Sequence, residues 1–363
     1  MFYPLKLKWI YSWFKNRLGR IKFYLSNFLT SPGCAFNYFK FMFSKSKIKV
    51  NHSPISINFY ITDKCNLNCY MCVRNLNEYP TVHHKKIDDM DFETFKAILD
   101  KFKCALYVQL IGQGEPLLNK DIFKMVDLVN KKRKNVILFT NGVLLNKENI
   151  KMIFNHHIYW INISLKGIDE EDFASVARVN GEIFYKVIEN IKNLIAARKR
   201  FHINTIISIS YICSKENFRN MYKAVKLANN LSVDRLYFTN LAPPDIYIGC
   251  GLEKMFFEDD EAAIKELKSL RRYPTNIKIH FPIFFRRGSF NRYCPYYYKY
   301  INVDAKGDVV GCDRVLTPNE KYGNVFRDKD IYNTQHFLKM RKIFLNKIEE
   351  LPDYCKLCVD MSC

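Results

Sequence analysis

No acidic residue occurs before Asp63 in this 363-residue chain, and no apolar run is long enough to cross a membrane. A spanning helix needs roughly 18 or more apolar residues, so a transmembrane span is excluded. The N-terminus is basic but lacks an apolar core of about 7–15 residues, which argues against a secretory signal. There is no internal repeat, no low-complexity linker and no recognised nucleic-acid module. A hydrophobic fraction of 48% excludes wholesale disorder. The length allows one large domain or two to three smaller ones. Twelve cysteines without export point to a reducing, cytoplasmic compartment, where clustered thiols ligate metal or catalyse.

What is present is unevenly placed. The net charge is +21, from 57 Lys+Arg and 36 Asp+Glu. The first 62 residues hold ten of the basic ones and no acidic ones, so they supply +10, and the remainder supplies 47 − 36 = +11. The same arm is rich in Trp, Tyr and Phe. Interleaved aromatics and cations suit an interfacial segment at the inner face of a membrane. They also suit an arm that packs on the body. Phosphate and base contacts could use the same residues, but without a recognised module no nucleic-acid partner is expected.

Hydrophobic periodicity organises the middle of the chain. Ile55, Ile57, Phe59 and Ile61 alternate as in a strand. Phe92, Phe95, Leu99 and Phe102 share a helical face. Leu106–Ile111 reads as a strand, and Asn119 as the cap of a helix burying Ile122, Met125, Val126 and Val129. Strands are expected at Val136–Thr140, Tyr159–Leu165, Ile203–Ser210 and Arg235–Phe238. Helices are expected after Asn146, through Phe184–Leu194, and through Phe218–Ala228 with Tyr222 on its apolar face. Six strands alternating with about five helices imply right-handed βαβ units, an α/β fold of partial (β/α)6 TIM-like barrel type, with function at the C-terminal strand ends. Past Pro243-Pro244 a helix near Glu258–Arg271 and an extended Ile277–Ile283 form a connector. Tyr300–Val303 and Asp308–Cys312 then flank a hairpin turn at Asp304–Gly307. A helix at Gln335–Lys347 precedes a Cys-rich tail. The expected division is 1–50 arm, 51–245 barrel, 246–290 connector and 291–363 small C-terminal domain.

The first strand runs into Cys65, Cys69 and Cys72, spaced C-x3-C-x2-C. Three thiolates in eight residues can wrap one compact centre, and soft sulfur selects zinc or iron–sulfur. No His lies within ten residues to complete a local zinc site, although a distant fourth ligand would allow one. Three cysteines on a cubane leave one iron open for a substrate or cofactor.

With these residues the sequence resembles the radical S-adenosylmethionine superfamily. Met71 stands where an aromatic residue often precedes the third Cys, and Tyr70 lies one position early. Gly112, Gln113, Gly114, Glu115 and Pro116 follow strand two and resemble the family's GGEP segment, with Gln113 in place of Gly. The resemblance implies that this segment holds the methionyl amino group of S-adenosyl-L-methionine. Asn141 in Thr140-Asn141-Gly142 ends strand three. Ser164 ends strand four and would contact the ribose or methionyl end. Lys166 departs from a common Asp, and each small motif alone also reads as an ordinary βα turn. The resemblance implies a SAM-binding [4Fe-4S] cluster on Cys65, Cys69 and Cys72 and a 5′-deoxyadenosyl radical that abstracts hydrogen.

Cys294, Cys312, Cys355 and Cys358 follow the pattern C-x12-G-x4-C…C-x2-C. That pattern resembles the SPASM/twitch module, implying a small Cys-rich twitch/SPASM domain with one auxiliary [4Fe-4S] cluster on four Cys. Spacing alone would also allow a zinc ribbon. Cys363 is a spare or exchangeable ligand. Cys34, Cys104, Cys213 and Cys250 read as isolated thiols, and His83-His84 and His156-His157 as surface or packing residues.

The resulting expectation is an oxidoreductase acting on a polar small molecule, such as a carbohydrate. A peptide-modifying maturase is the alternative, and a non-catalytic iron–sulfur electron-transfer or scaffold protein the alternative of another class. The related molybdenum-cofactor type of cyclase has a C-terminal glycine tail not found here. A one-electron donor such as flavodoxin or ferredoxin is the expected partner, with membrane contact through residues 1–50.

Overall fold

The computed structural model describes residues 32–44, 47–72, 74, 89–112, 114–241, 254–284, 294–310, 312, 322–346, 351–352 and 355. The chain enters through α1 (Pro32–Met42) and then alternates: β1 (Ser56–Tyr60), α2 (Phe92–Lys101), β2 (Tyr107–Ile111), α3 (Ile122–Lys131), β3 (Asn135–Thr140), α4 (Lys147–Asn155) and β4 (Trp160–Leu165). It continues with α5 (Glu170–Ala177), α6 (Ile183–Arg200), β5 (Ile206–Cys213), α7 (Met221–Leu231), β6 (Arg235–Asn240), α8 (Glu261–Leu270) and β7 (Lys278–His280). The C-terminal part adds β8 (Tyr300–Val303), β9 (Val309–Val310) and α9 (Gln335–Asn346).

The strands form one sheet in the order β7-β6-β5-β4-β3-β2-β1-β8-β9. Every pairing is parallel except β8–β9. The expected six-strand unit is therefore present as β1 to β6, and the sheet extends past it at both ends. The connector contributes β7, and the Cys-rich part contributes β8, which pairs directly with β1 (Ser56↔Tyr300). Asn58 Nδ2 donates to Asn302 Oδ1 across this seam at 2.8 Å, both side chains buried.

Helices cover one face of the sheet. Ile57, Phe59, Val108, Leu110, Leu138, Ile161, Ile163, Ile207 and Leu236 have no measurable exposure. They meet Phe95, Ile98 and Leu99 of α2, Met125, Val126 and Val129 of α3, and Val187, Ile191 and Leu194 of α6. Side chains on the opposite face of β2 and β4 to β6 alternate with these, and most of them, such as Tyr107, Gln109, Trp160, Ser164, Ser210 and Tyr237, stay partly open, whereas Asn162 and Ser208 are buried.

Three local expectations change. Asn119 does not cap α3. Its amide donates to Ile61 O (2.8 Å) and Met90 O (3.0 Å), binding the ends of β1 and the segment before α2, while Asp121 stands at the helix N-terminus. Tyr222 is 45% exposed, because the first turn of α7 shows that position to solvent. Cys34 and Cys104 are not isolated. The Cys104 thiol is pushed up by burial and by the neighbouring Cys34, and Cys34 Sγ lies 3.5 Å from Lys103 O. Asn146 does cap its helix, accepting from Asn149 N at 2.8 Å. Cys250 and His83-His84 lie outside the described residues.

Arg341 of α9 is fully buried. Its guanidinium donates to Tyr297 O (2.8 Å), Ile48 O (3.3 Å) and Asn333 Oδ1 (3.0 Å), and lies over the Tyr332 ring at 4.9 Å. Asn333 also accepts from Val50 N and donates to Val50 O. The segment before β1 is thus stitched to the C-terminal part.

Candidate functional site

The cysteine loop leaves β1 at Ile61 and is held from three sides. Gly114 N donates to Thr62 O (3.0 Å) and Glu115 N to Lys64 O (2.7 Å), tying the loop to the end of β2. Asn68 N and Tyr70 N donate to Ala177 O and Val176 O at the end of α5, both at 3.0 Å. Lys64 Nζ and Thr62 Oγ1 both reach Asp89. Cys69 is buried, and Cys65 and Cys72 are half-buried. Burial pushes the Cys69 thiol up, and the charges of Cys72 and Cys65 add to that, whereas Lys166 pulls it down. The Cys72 thiol is raised by burial too.

Glu115 is 1% exposed and fully engaged. Oε1 accepts from Thr140 Oγ1 (2.7 Å) and Leu117 N (3.2 Å), and Oε2 accepts from Asn141 N (2.7 Å). Burial pushes its pKa up, and these donors pull it back. Asn141 in turn donates to Asn66 Oδ1 (2.7 Å) and toward Cys65 Sγ (3.8 Å). The ends of β1, β2 and β3 are thereby locked into one assembly. Gly114 sits so close to Lys64 that a Cβ would stand 2.1 Å from its carbonyl oxygen. Pro116 opens a short 3-10 turn capped by Glu115. Gly112 approaches Thr62 O in the same way, at 2.6 Å for an added Cβ. Tyr70 is half-buried beneath Lys254 Nζ, 5.6 Å from the ring centroid, and Met71 is half-buried beside it. Gln113 lies outside the described residues.

Lys166 was visible in the sequence only as a departure from Asp. It donates to Ser164 Oγ at 2.7 Å, and its charge bears on Cys69, Cys72 and Glu115. The i, i+2 spacing of Ser164, in the last alternation of β4, and Lys166, just beyond its end, is the signal that places both on one face.

On the open face of the sheet, Ser164, Ser210, Tyr237 and His280 are successive register partners across β4, β5, β6 and β7. All four are half-buried. Tyr237 and His280 stack at 4.2 Å with 8° between planes, and Trp160 lies 5.7 Å from Tyr237. Burial lowers the His280 pKa to about 4, with Lys278 and Arg235 adding to the effect, so the imidazole is neutral near pH 7. Its Nε2 has no hydrogen-bond partner among the described residues. Sequence reasoning missed this row because its members lie on four strands.

In the C-terminal part, Cys294, Cys312 and Cys355 are 5–8% exposed. Cys358 and Cys363 lie outside the described residues. Cys294 precedes a 3-10 turn (Pro295–Tyr297), and Cys355 N donates to Pro352 O at 2.8 Å. A cavity of about 10 Å³ beside Cys312 is lined by Tyr297, Tyr300, Tyr322 and Phe337.

As placed, no three His, Cys, Asp or Glu side chains among the described residues are grouped to hold a single metal ion. The donor set of the β1 loop is three thiols without carboxylate or imidazole, which is the chemistry of iron–sulfur ligation. Fit is further supported by the locked Gly112–Glu115 cradle facing that loop.

Residues 59–228 match the family model described as Radical SAM superfamily, and residues 294–359 match SPASM, an iron-sulfur cluster-binding domain. Among curated proteins the chain is 29% identical over 188 residues to the tungsten-containing aldehyde ferredoxin oxidoreductase cofactor-modifying protein of Pyrococcus furiosus, covering 50% of each chain. It is 27% identical over 150 residues to a GTP 3',8-cyclase of Clostridium perfringens, covering 40% of this chain and 45% of that one. The chain spans about half the length of these curated relatives. Among solved structures, Streptococcus suis SuiB bound to precursor peptide SuiA superposes with a TM-score of 0.63 at 16% identity, covering 85% of this chain and 71% of that one. The structure of anSMEcpe with bound AdoMet gives 0.60 at 17%, covering 85% and 84%. At such identities the likeness concerns the fold.

Proposed function

Because this chain belongs to the radical SAM superfamily and carries a SPASM-type domain behind its barrel, we propose that it takes hydrogen from a polar, carbohydrate-like small molecule and completes an oxidation. The protein is an enzyme whose cofactors are S-adenosyl-L-methionine and iron–sulfur clusters. When bound, a cluster on Cys65, Cys69 and Cys72 supplies the electron that splits S-adenosylmethionine and so furnishes the 5′-deoxyadenosyl radical. The remaining work falls to the chain. Gly112, Gly114, Glu115 and Pro116 fix the cradle beside the thiols, and Asn141 holds the cradle to the cysteine loop. Ser164, oriented by Lys166, is aimed at the ribose or methionyl end, and Tyr70 and Met71 are assigned to the adenine side. Ser210, Tyr237 and His280 line the open face and offer hydroxyls and a neutral imidazole to an alcohol-bearing substrate. Positioning of this kind brings a reacting C–H close to the radical and excludes water.

The observation that carries the reading is the locked junction of the thiol loop, Glu115 and Asn141. In this reading residues 51–245 generate the radical, 246–290 connect, and Cys294, Cys312, Cys355 and Cys358 of 291–363 would hold an auxiliary cluster, which would supply an acceptor for the one electron that, with a proton, must still leave the substrate after hydrogen abstraction. A flavodoxin- or ferredoxin-type protein supplies the first electron.

Anaerobically purified protein tests the proposal. It should contain about eight irons, and a Cys294→Ala/Cys312→Ala variant about four. Dithionite and S-adenosylmethionine should release 5′-deoxyadenosine from wild type and not from Cys69→Ala. Stoichiometric zinc without iron, or equal release from both proteins, would remove the catalytic reading. A peptide consumed in place of a sugar would favour the maturase alternative.

A further inference from the structure

We propose that α1 is a membrane-surface element that seats the enzyme on anionic lipid. Ten large hydrophobic side chains among the described residues are exposed, and four of them fall within eight positions: Phe36 (58%), Phe39 (52%), Met42 (47%) and Phe43 (61%). Phe36, Phe39 and Phe43 follow an i, i+3, i+7 spacing and so share one face of the helix and its last turn. Phe39 and Phe43 touch each other, with centroids 4.7 Å apart, and Lys40 Nζ stands 4.6 Å from the Phe36 centroid.

The opposite face fixes which way the helix looks. Asn37 Nδ2 donates to Ser53 O (3.0 Å), and Ser53 N donates to Asn37 Oδ1 (2.7 Å). Cys34 contacts Lys103 O, and the Phe41 ring meets His52 edge-on at 5.6 Å. Those side chains, Cys34, Asn37 and Phe41, are buried. The helix cannot roll its phenylalanines inward without breaking this clamp. Normal amphipathic order is satisfied on the inner side, and a second apolar face is left over.

Charge identifies the occupant. The first 62 residues hold ten cations and no anion. An apolar face needs an apolar medium and the cations need an anionic one, and the boundary between acyl chains and anionic headgroups offers both. Lys40, Lys47 and Lys49 stand beside or just after the aromatic face in sequence, where headgroup phosphates would lie.

The test uses the whole 363-residue chain, purified anaerobically with its clusters. Co-sedimentation with phosphatidylcholine vesicles containing about 30% phosphatidylglycerol should exceed that with pure phosphatidylcholine. A Phe36→Ser/Phe39→Ser/Phe43→Ser variant should lose about tenfold or more in partitioning, with iron content, melting temperature and oligomeric state unchanged. No binding by wild type, or equal binding by the variant, overturns the proposal. A variant that melts lower or changes oligomeric state also overturns it, because the face would then be covered by residues 1–31 or by a second copy. None of these readouts depends on the reaction, so the proposal can fail while the catalytic reading stands.

Discussion

At the scale of single residues, Gly114 has the least freedom. An alanine methyl there would stand 2.1 Å from Lys64 O and 2.6 Å from the Asp63 carbonyl carbon, both main-chain atoms of the cysteine loop. Gly114→Ala should therefore displace the loop, lower stability by about 2–4 kcal/mol and reduce the iron held by the β1 thiols. Thermal unfolding and iron analysis check both. A variant with wild-type melting temperature and iron would show that the loop yields freely. The thiols themselves were legible in the sequence because their chemistry is local, three sulfurs in eight residues after a strand. The roles of Glu115 and Lys166 were not. Glu115 serves Thr140 and Asn141, 25 and 26 positions away, and nothing in Gly-Gln-Gly-Glu-Pro names those partners.

At the scale of elements, α9 depends on a buried cation. Arg341 reaches three acceptors on separate segments (Tyr297 O, Ile48 O and Asn333 Oδ1) through the fork of its guanidinium. Burial works against its charge, and the surrounding rings and hydrogen bonds offset that cost. Lysine's three N–H donors radiate from one nitrogen and cannot reproduce the separated Nε and Nη1 positions of the planar fork. Arg341→Lys should cost about 1–3 kcal/mol, read as a lower urea midpoint with an unchanged slope. An unchanged midpoint would mean that ring packing alone secures the helix. The sequence placed the helix itself to within a residue or so, and it identified the buried faces of α2, α3 and α6, because a 3.6-residue period is written in consecutive side chains. It did not show Arg341 as buried, since a lone arginine in a basic chain reads as solvated. Asn119 misled for a related reason. Its side chain bonds distant carbonyls more favourably than the start of its own helix.

At the scale of the molecule, the C-terminal part belongs to the barrel. A chain ending at Phe284 would lack β8 and leave β1, all five of whose residues are buried, as an open edge. Such a truncation should yield aggregated protein rather than a smaller working barrel, as size-exclusion chromatography of the soluble fraction would reveal. A monodisperse truncated monomer would contradict this. The six-strand alternation was readable because each βα unit is local, whereas the partner on the far side of β1 was not. Asn58 and Asn302 meet across 244 positions, and no periodicity encodes that choice.

The β1–β8 seam also imposes an order on biosynthesis. At about 5–20 residues per second, the ribosome needs roughly 10–50 s to proceed from Asn58 to Asn302. Throughout that interval the strand that presents Cys65, Cys69 and Cys72 has only one neighbour to pair with. Pairing of Ser56–Phe59 with Tyr300–Val303 is thus a late event, and the β1 edge waits uncovered until the C-terminal part of the chain has emerged.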